Sequence, residues 1–129
     1  MPHFIVEFTA NLEAEGNVPG LLQKINDTLI AQESVFPVGG IRSRAVRLDH
    51  YRMADGQADY AFVHAILKIG AGRDERTKQR VGDALFDVIK HHFAALYEKR
   101  YLALSMELVE FSEAGTWKHN NVHARFKRG

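Results

Sequence analysis

The sequence predicts an α/β (α+β) fold: a tandem β-α-β repeat whose four strands form one mixed sheet with two helices on one face. Two observations carry this. Segments rich in β-branched and aromatic residues alternate with segments of helical period in the order strand–helix–strand, and the order occurs twice, over about 2–53 and 60–111. Right-handed crossovers then bring each helix back over the same side of the sheet. Identity between the halves is negligible, so the repeat is architectural. The chain of 129 residues has the length of one domain, and it reads as a single unit over 1–129 with a tail at 112–129.

Pro2 to Thr9 is short and rich in Phe, Ile and Val, the composition of a buried strand. A polar stretch ends in Asn17-Val18-Pro19, where Asn17 serves as N-cap and Pro19 fits the first helical turn without losing a hydrogen bond. Val18, Leu21, Leu22, Ile25 and Leu29 recur at helical spacing and predict a helix to about Gln32. Phe36-Pro37-Val38-Gly39-Gly40 ends it. Ser43 to Met53 reads as extended, with Val46, Leu48 and His50 on one face and Ala45, Arg47 and Asp49 on the other. Ala54-Asp55-Gly56-Gln57 is a turn.

The second half repeats the pattern. Tyr60 to Ile69 is the clearest strand, with Ala61, Val63, Ala65, Leu67 and Ile69 on one face. Gly70 to Asp74 is a loop, and Asp74 is placed to cap the second helix. Val81, Ala84, Leu85, Val88, Ile89, Phe93 and Leu96 form the apolar stripe of that helix, which runs to about Lys99. Ala103 to Phe111 is a strand showing Leu104, Met106 and Leu108 on one face. Two helices cover only one side of such a sheet, which leaves Phe62 and Ile66 on the other. Burial of that bare face by other subunits is expected. Glu113 to Gly129 has no period and should wrap a neighbour or pack as an irregular tail.

Composition excludes several classes. Hydrophobic residues at 46% and charged residues at 26% argue against disorder, and a net charge of +1 points to neither nucleic acid nor membrane. With no cysteine there is no disulfide framework or thiolate nucleophile, which suits a cytoplasmic protein. The start has no basic segment ahead of its apolar stretch, and Glu7 interrupts that stretch, so a signal peptide is not expected there.

Five features bear on chemistry. Pro2 follows the initiator Met, whose removal would leave a secondary amine fixed at the start of a buried strand. Such an amine titrates nearer neutrality than a lysine, and desolvation or a nearby arginine lowers it further. A Met-Pro start alone says little. Arg42 and Arg44 follow the Gly39-Gly40 pair, and Arg73 follows Gly70-Ala71-Gly72. Guanidinium forks at loop ends suit a small carboxylate substrate, although solvated loop charges have the same appearance. Gly70-Ala71-Gly72 matches no phosphate-binding motif and reads as turn chemistry. His119-x-x-x-His123 has ligand-like spacing but no third ligand, so no metal is expected. The Lys127-Arg128 end lacks the aromatic platform of a nucleic-acid site.

The Pro after Met, the two-fold repeat and the stretches PVGGIRSR, MADGQADYAFVHAILKIGAGR and HNNVHARFK together resemble the 5-carboxymethyl-2-hydroxymuconate delta-isomerase family. That family belongs to the tautomerase superfamily, with oxalocrotonate tautomerase. The resemblance covers essentially the whole chain. It implies a tautomerase-like fold, a homotrimer and no cofactor. It also implies proton transfer within a carboxylated ring-cleavage product of homoprotocatechuate, from the 2-hydroxy-dienoate to the 2-oxo-enoate isomer. Pro2 matches the family's base and acid, and Arg42 and Arg73 its carboxylate-binding residues, with Arg44 able to share that role. Two alternatives stay open: another tautomerase activity on a small unsaturated acid, and a trimeric binding module without catalysis.

Overall fold

The computed structural model describes residues 1–32 and 35–127, so Arg128 of the terminal basic pair lies outside the described residues. The elements run β1 (His3–Thr9), α1 (Val18–Ala31), β2 (Arg42–Leu48), β3 (Tyr60–Gly70), α2 (Glu75–His92), α3 (Ala94–Lys99) and β4 (Tyr101–Phe111). Short 3-10 turns occupy Ala10–Leu12, Val38–Gly40 and Val122–Phe126. Asn17 caps α1 as expected, its side chain accepting from Gly20 N at 3.3 Å, and Asp74 caps α2 by accepting from Thr77 N at 2.7 Å.

The four strands form one mixed sheet in the order β2-β1-β3-β4. Each half contributes a parallel pair, β1 with β2 and β3 with β4, while β1 and β3 join the halves antiparallel. These polarities decide where the chain's ends meet. The starts of β1 and β2 and the ends of β3 and β4 all fall at the same end of the sheet. The N-terminus, the entry to β2, the β3–α2 loop and the start of the tail are therefore neighbours.

One face of the sheet builds the core. Phe4, Val6 and Phe8 of β1 and Ala61, Val63, Ala65, Leu67 and Ile69 of β3 are buried there. Leu21, Ile25 and Leu29 of α1 and Val81, Leu85 and Ile89 of α2 are buried against them. The alternation of β3 holds from Tyr60 to Ile69, so the residues between, including Phe62 and Ile66, lie on the bare face and are half-buried. That face is mixed rather than apolar. His64 Nδ1 lies 2.7 Å from Ser105 Oγ, and Arg44 Nη1 lies 3.2 Å from His3 Nδ1.

Two boundaries differ from expectation by several residues. β2 ends at Leu48, not Met53, because Thr9, its last partner, closes β1 and nothing remains to pair with. Within β2 it is Ala45 that packs on the core, while Val46 is 44% exposed on the bare face. The second helix stops at His92: Phe93 (φ −98°, ψ 9°) separates α2 from α3. The break preserves the predicted stripe, since Phe93 and Leu96 are both buried. No helix among the described residues is long and apolar enough to cross a membrane.

Candidate active site

At the shared end of the sheet, Pro2 is buried and its carbonyl accepts from Arg42 N at 3.3 Å, one step ahead of the β1–β2 pairing. The ring is thus anchored before the strand begins. Met1 packs against the Gly39–Gly40 turn, where a Cβ on Gly40 would lie 3.3 Å from Met1 Cα. The tail covers the same turn. A Cβ on Gly39 would lie 2.8 Å from His123 Cα, and Asn120 Nδ2 donates to Gly39 O at 2.9 Å. The glycine pair is there for close approach, which a side chain would prevent.

Arg73 follows Gly72, whose φ of +117° is a backbone conformation favouring glycine. Its Nη1 donates to Gly70 O at 3.0 Å and its Nη2 to Val35 O at 2.9 Å. The guanidinium sits 4.8 Å over the Phe36 ring centroid. Two carbonyls and a ring thus hold the fork while its charge stays uncompensated by them. Arg42 opens β2 opposite His3, and Arg44 lies opposite Ile5. Parallel pairing puts both arginines on the bare face, with Arg44 turned to His3 and Arg42 nearer the N-terminus.

The tail adds a charged pair that periodicity does not reveal. Lys118 Nζ donates to Glu113 Oε2 at 2.8 Å, and Glu113 Oε1 reaches over Gly70. Burial holds the Met1 amino group below the ordinary α-amine range; Arg73, Lys118 and Arg42 push the same way, and Glu113 opposes them. His3 is lowered too, first by burial, then by Arg42, Arg44, Lys68 and the amino terminus. Lys118 holds the Glu113 carboxyl below its usual range.

The structure therefore brings Pro2, Arg42 and Arg73 together and places Arg44 one pair further along β2. It adds Glu113, Lys118, Asn120 and His123. The tail folds back on its own chain here, and His123 serves packing against the Gly39–Gly40 turn. Among the described residues no group of three His, Cys, Asp or Glu side chains could hold a metal ion. A groove of about 680 Å³ between α2 and β4 is lined by Lys78, Phe86 and Met106 among others, and holds none of the site residues.

Around this geometry stand several relatives. The chain is 54% identical over 127 residues to the Escherichia coli 5-carboxymethyl-2-hydroxymuconate Delta-isomerase, covering 98% of this chain and all of that protein. Its fold matches the crystal structure of a 5-carboxymethyl-2-hydroxymuconate isomerase from Deinococcus radiodurans R1 with a TM-score of 0.94. The identity is 55%, over 98% of this chain and 95% of that one. A fused 4-OT symmetric trimer shares the fold at a TM-score of 0.68 and 14% identity, over 91% and 93% of the two chains. The sequence model of the 5-carboxymethyl-2-hydroxymuconate isomerase family matches residues 2–126. From Pro2 through the tail that closes over it, this chain belongs to the 5-carboxymethyl-2-hydroxymuconate isomerase family.

Proposed function

We propose that the chain, once Met1 is removed, is a cofactor-independent isomerase converting 5-carboxymethyl-2-hydroxymuconate to 5-carboxy-2-oxohept-3-enedioate in the breakdown of homoprotocatechuate. The Pro2 amine takes the proton of the 2-hydroxyl. The electron pair moves through the conjugated chain to a dienolate, and the same amine, now protonated, delivers a proton to C5. Arg42 and Arg73 hold substrate carboxylates and stabilise the charge developing on the 2-oxo group, with Arg44 in reserve on the same strand. Burial and the neighbouring cations favour the neutral, free-base form of the Pro2 amine, the form general-base catalysis needs.

The observation that carries this reading is a buried proline at the chain start, one residue in from a Met1 amine whose pKa is lowered first by burial and then by Arg73, Lys118 and Arg42. The unit is a single domain over 1–129 and works as a homotrimer in the cytoplasm; the half-buried apolar side chains on the bare face support the assembly. The direct test is an ultraviolet assay on protein whose N-terminus has been verified by intact mass. Pro2→Ala should lower kcat by at least about a hundredfold, the scale of a general base, with the fold retained. Absence of turnover in wild-type chains that have lost Met1 would sink the isomerase reading.

A further inference from the structure

The proposed substrate carries three carboxylates, two on its muconate chain and one on its carboxymethyl arm, whereas Arg42 and Arg73 supply two guanidinium forks. A further cation at this end of the sheet, supplied by the tail rather than by a strand, is Lys118. It stands there because the tail is folded and pinned. Thr116 Oγ1 donates to Ser112 O at 2.6 Å and Thr116 N to Glu113 O at 3.2 Å, turning the chain back on itself. Asn120 and His123 then fasten the following residues to the Gly39–Gly40 turn.

Within that fold the Glu113 carboxylate has an unusual seat. One oxygen, Oε2, accepts from Lys118 at 2.8 Å. The other, Oε1, lies 2.8 Å from the point a Cβ on Gly70 would occupy, and Arg73 Nη1 lies 3.7 Å from the same point. A carboxylate thus rests beside two cations, over a glycine whose missing side chain leaves the room. Its side chain is 59% exposed and held by this one ion pair, so it can swing away at little cost. Lys118, at 36% exposure, is the more enclosed partner.

We propose that Lys118 and Arg73 form a subsite for the carboxylate of the substrate's carboxymethyl arm, and that Glu113 is an internal stand-in which the substrate displaces. The inference rests on the isomerase reading and deepens it by naming the residue that selects a triacid over a diacid. The opposed effects of Lys118 and Glu113 on the amino terminus agree with both groups lying close to the reacting centre.

The test compares the triacid with the same 2-hydroxymuconate skeleton lacking its carboxymethyl arm. In Lys118→Gln the ratio of kcat/KM, triacid to diacid, should fall about tenfold, the scale of a lost charge-assisted hydrogen bond, chiefly through KM. Lys118→Arg should restore most of it, and Glu113→Gln should lower KM for the triacid. An equal loss on both compounds, or an unchanged ratio, would overturn the subsite; a raised triacid KM in Glu113→Gln would overturn the stand-in role. Calorimetry with propane-1,2,3-tricarboxylate against pentanedioate reads the subsite independently of turnover. Wild-type protein should prefer the tricarboxylate and Lys118→Gln should lose that preference, and equal binding of both acids by wild type overturns the subsite. Inactivity of the wild type on both hydroxymuconates would instead count against the isomerase reading alone.

Discussion

At the scale of single residues the proposed mechanism turns on an amine whose basicity is set by what surrounds it. Burial favours the neutral form of the Met1 amine, and Arg73, Lys118 and Arg42 act in the same direction because a second positive charge nearby is costly. Glu113 alone opposes them. Pro2 lies one residue inward from the present terminus and is more deeply buried, so the same groups act on its amine after Met1 is lost. A base works only when deprotonated, so kcat/KM should rise with pH through the amine pKa and level off above it. With that pKa lowered, the plateau should begin at a lower pH than for an exposed N-terminal amine. Glu113→Gln removes the one group that raises the pKa, so its acid limb should shift to lower pH. A pH–rate profile moving the other way would show that Glu113 acts on something besides the amine. The positions of Pro2, Arg42 and Arg73 at a strand start and two loop ends can be read from periodicity, while the roles proposed for them come from the family resemblance. Lys118 and Glu113 were not legible, since the tail has no period to read. The carbonyl bonds that fix Arg73 were hidden as well, because no local pattern links Val35 to Arg73.

At the scale of elements, local signals and tertiary pairing divide the control between them. The caps were legible because a cap depends on a few adjacent residues, as at Asn17 and Asp74. The end of β2 was not, since it is decided by where β1 stops pairing, and Asp49 to Met53 have no intrinsic aversion to extension. The break at Phe93 was missed for a related reason: the apolar stripe continues through it, so burial gives no sign of the interruption. Asn17 makes the local contribution measurable. It sits in the left-handed region at φ 44° and its side chain accepts from Gly20 N. Asn17→Ala should lower stability by about 1 kcal/mol, combining the lost cap with a strained backbone. Asn17→Gly should cost less, because glycine adopts that backbone freely. Urea denaturation of the two variants checks this, and equal losses would assign the whole effect to the cap.

At the scale of the whole molecule, the sheet is finished on one side only. The helices seal Phe4, Leu67 and their neighbours, while Ile5 and Ile66, paired across β1 and β3, sit half-buried at the middle of the other face. Around them the face carries Arg44, His3, Lys68, Glu7, His64 and Glu107, so a partner there must match charge as well as cover apolar surface. A homotrimer meets both needs if each copy presents the same mixed face inward. Sedimentation of the wild-type protein should then give about three times the chain mass of 14.6 kDa. Ile66→Asp would set a carboxylate at the centre of that contact. Burying it without a partner costs more than the assembly can offset, so the variant should sediment as a folded monomer. The helix-side core is untouched by the change, and far-ultraviolet circular dichroism should retain the wild-type signal. A wild-type chain that stays monomeric at micromolar concentration, or an Ile66→Asp trimer, would show that this face is not where the subunits meet.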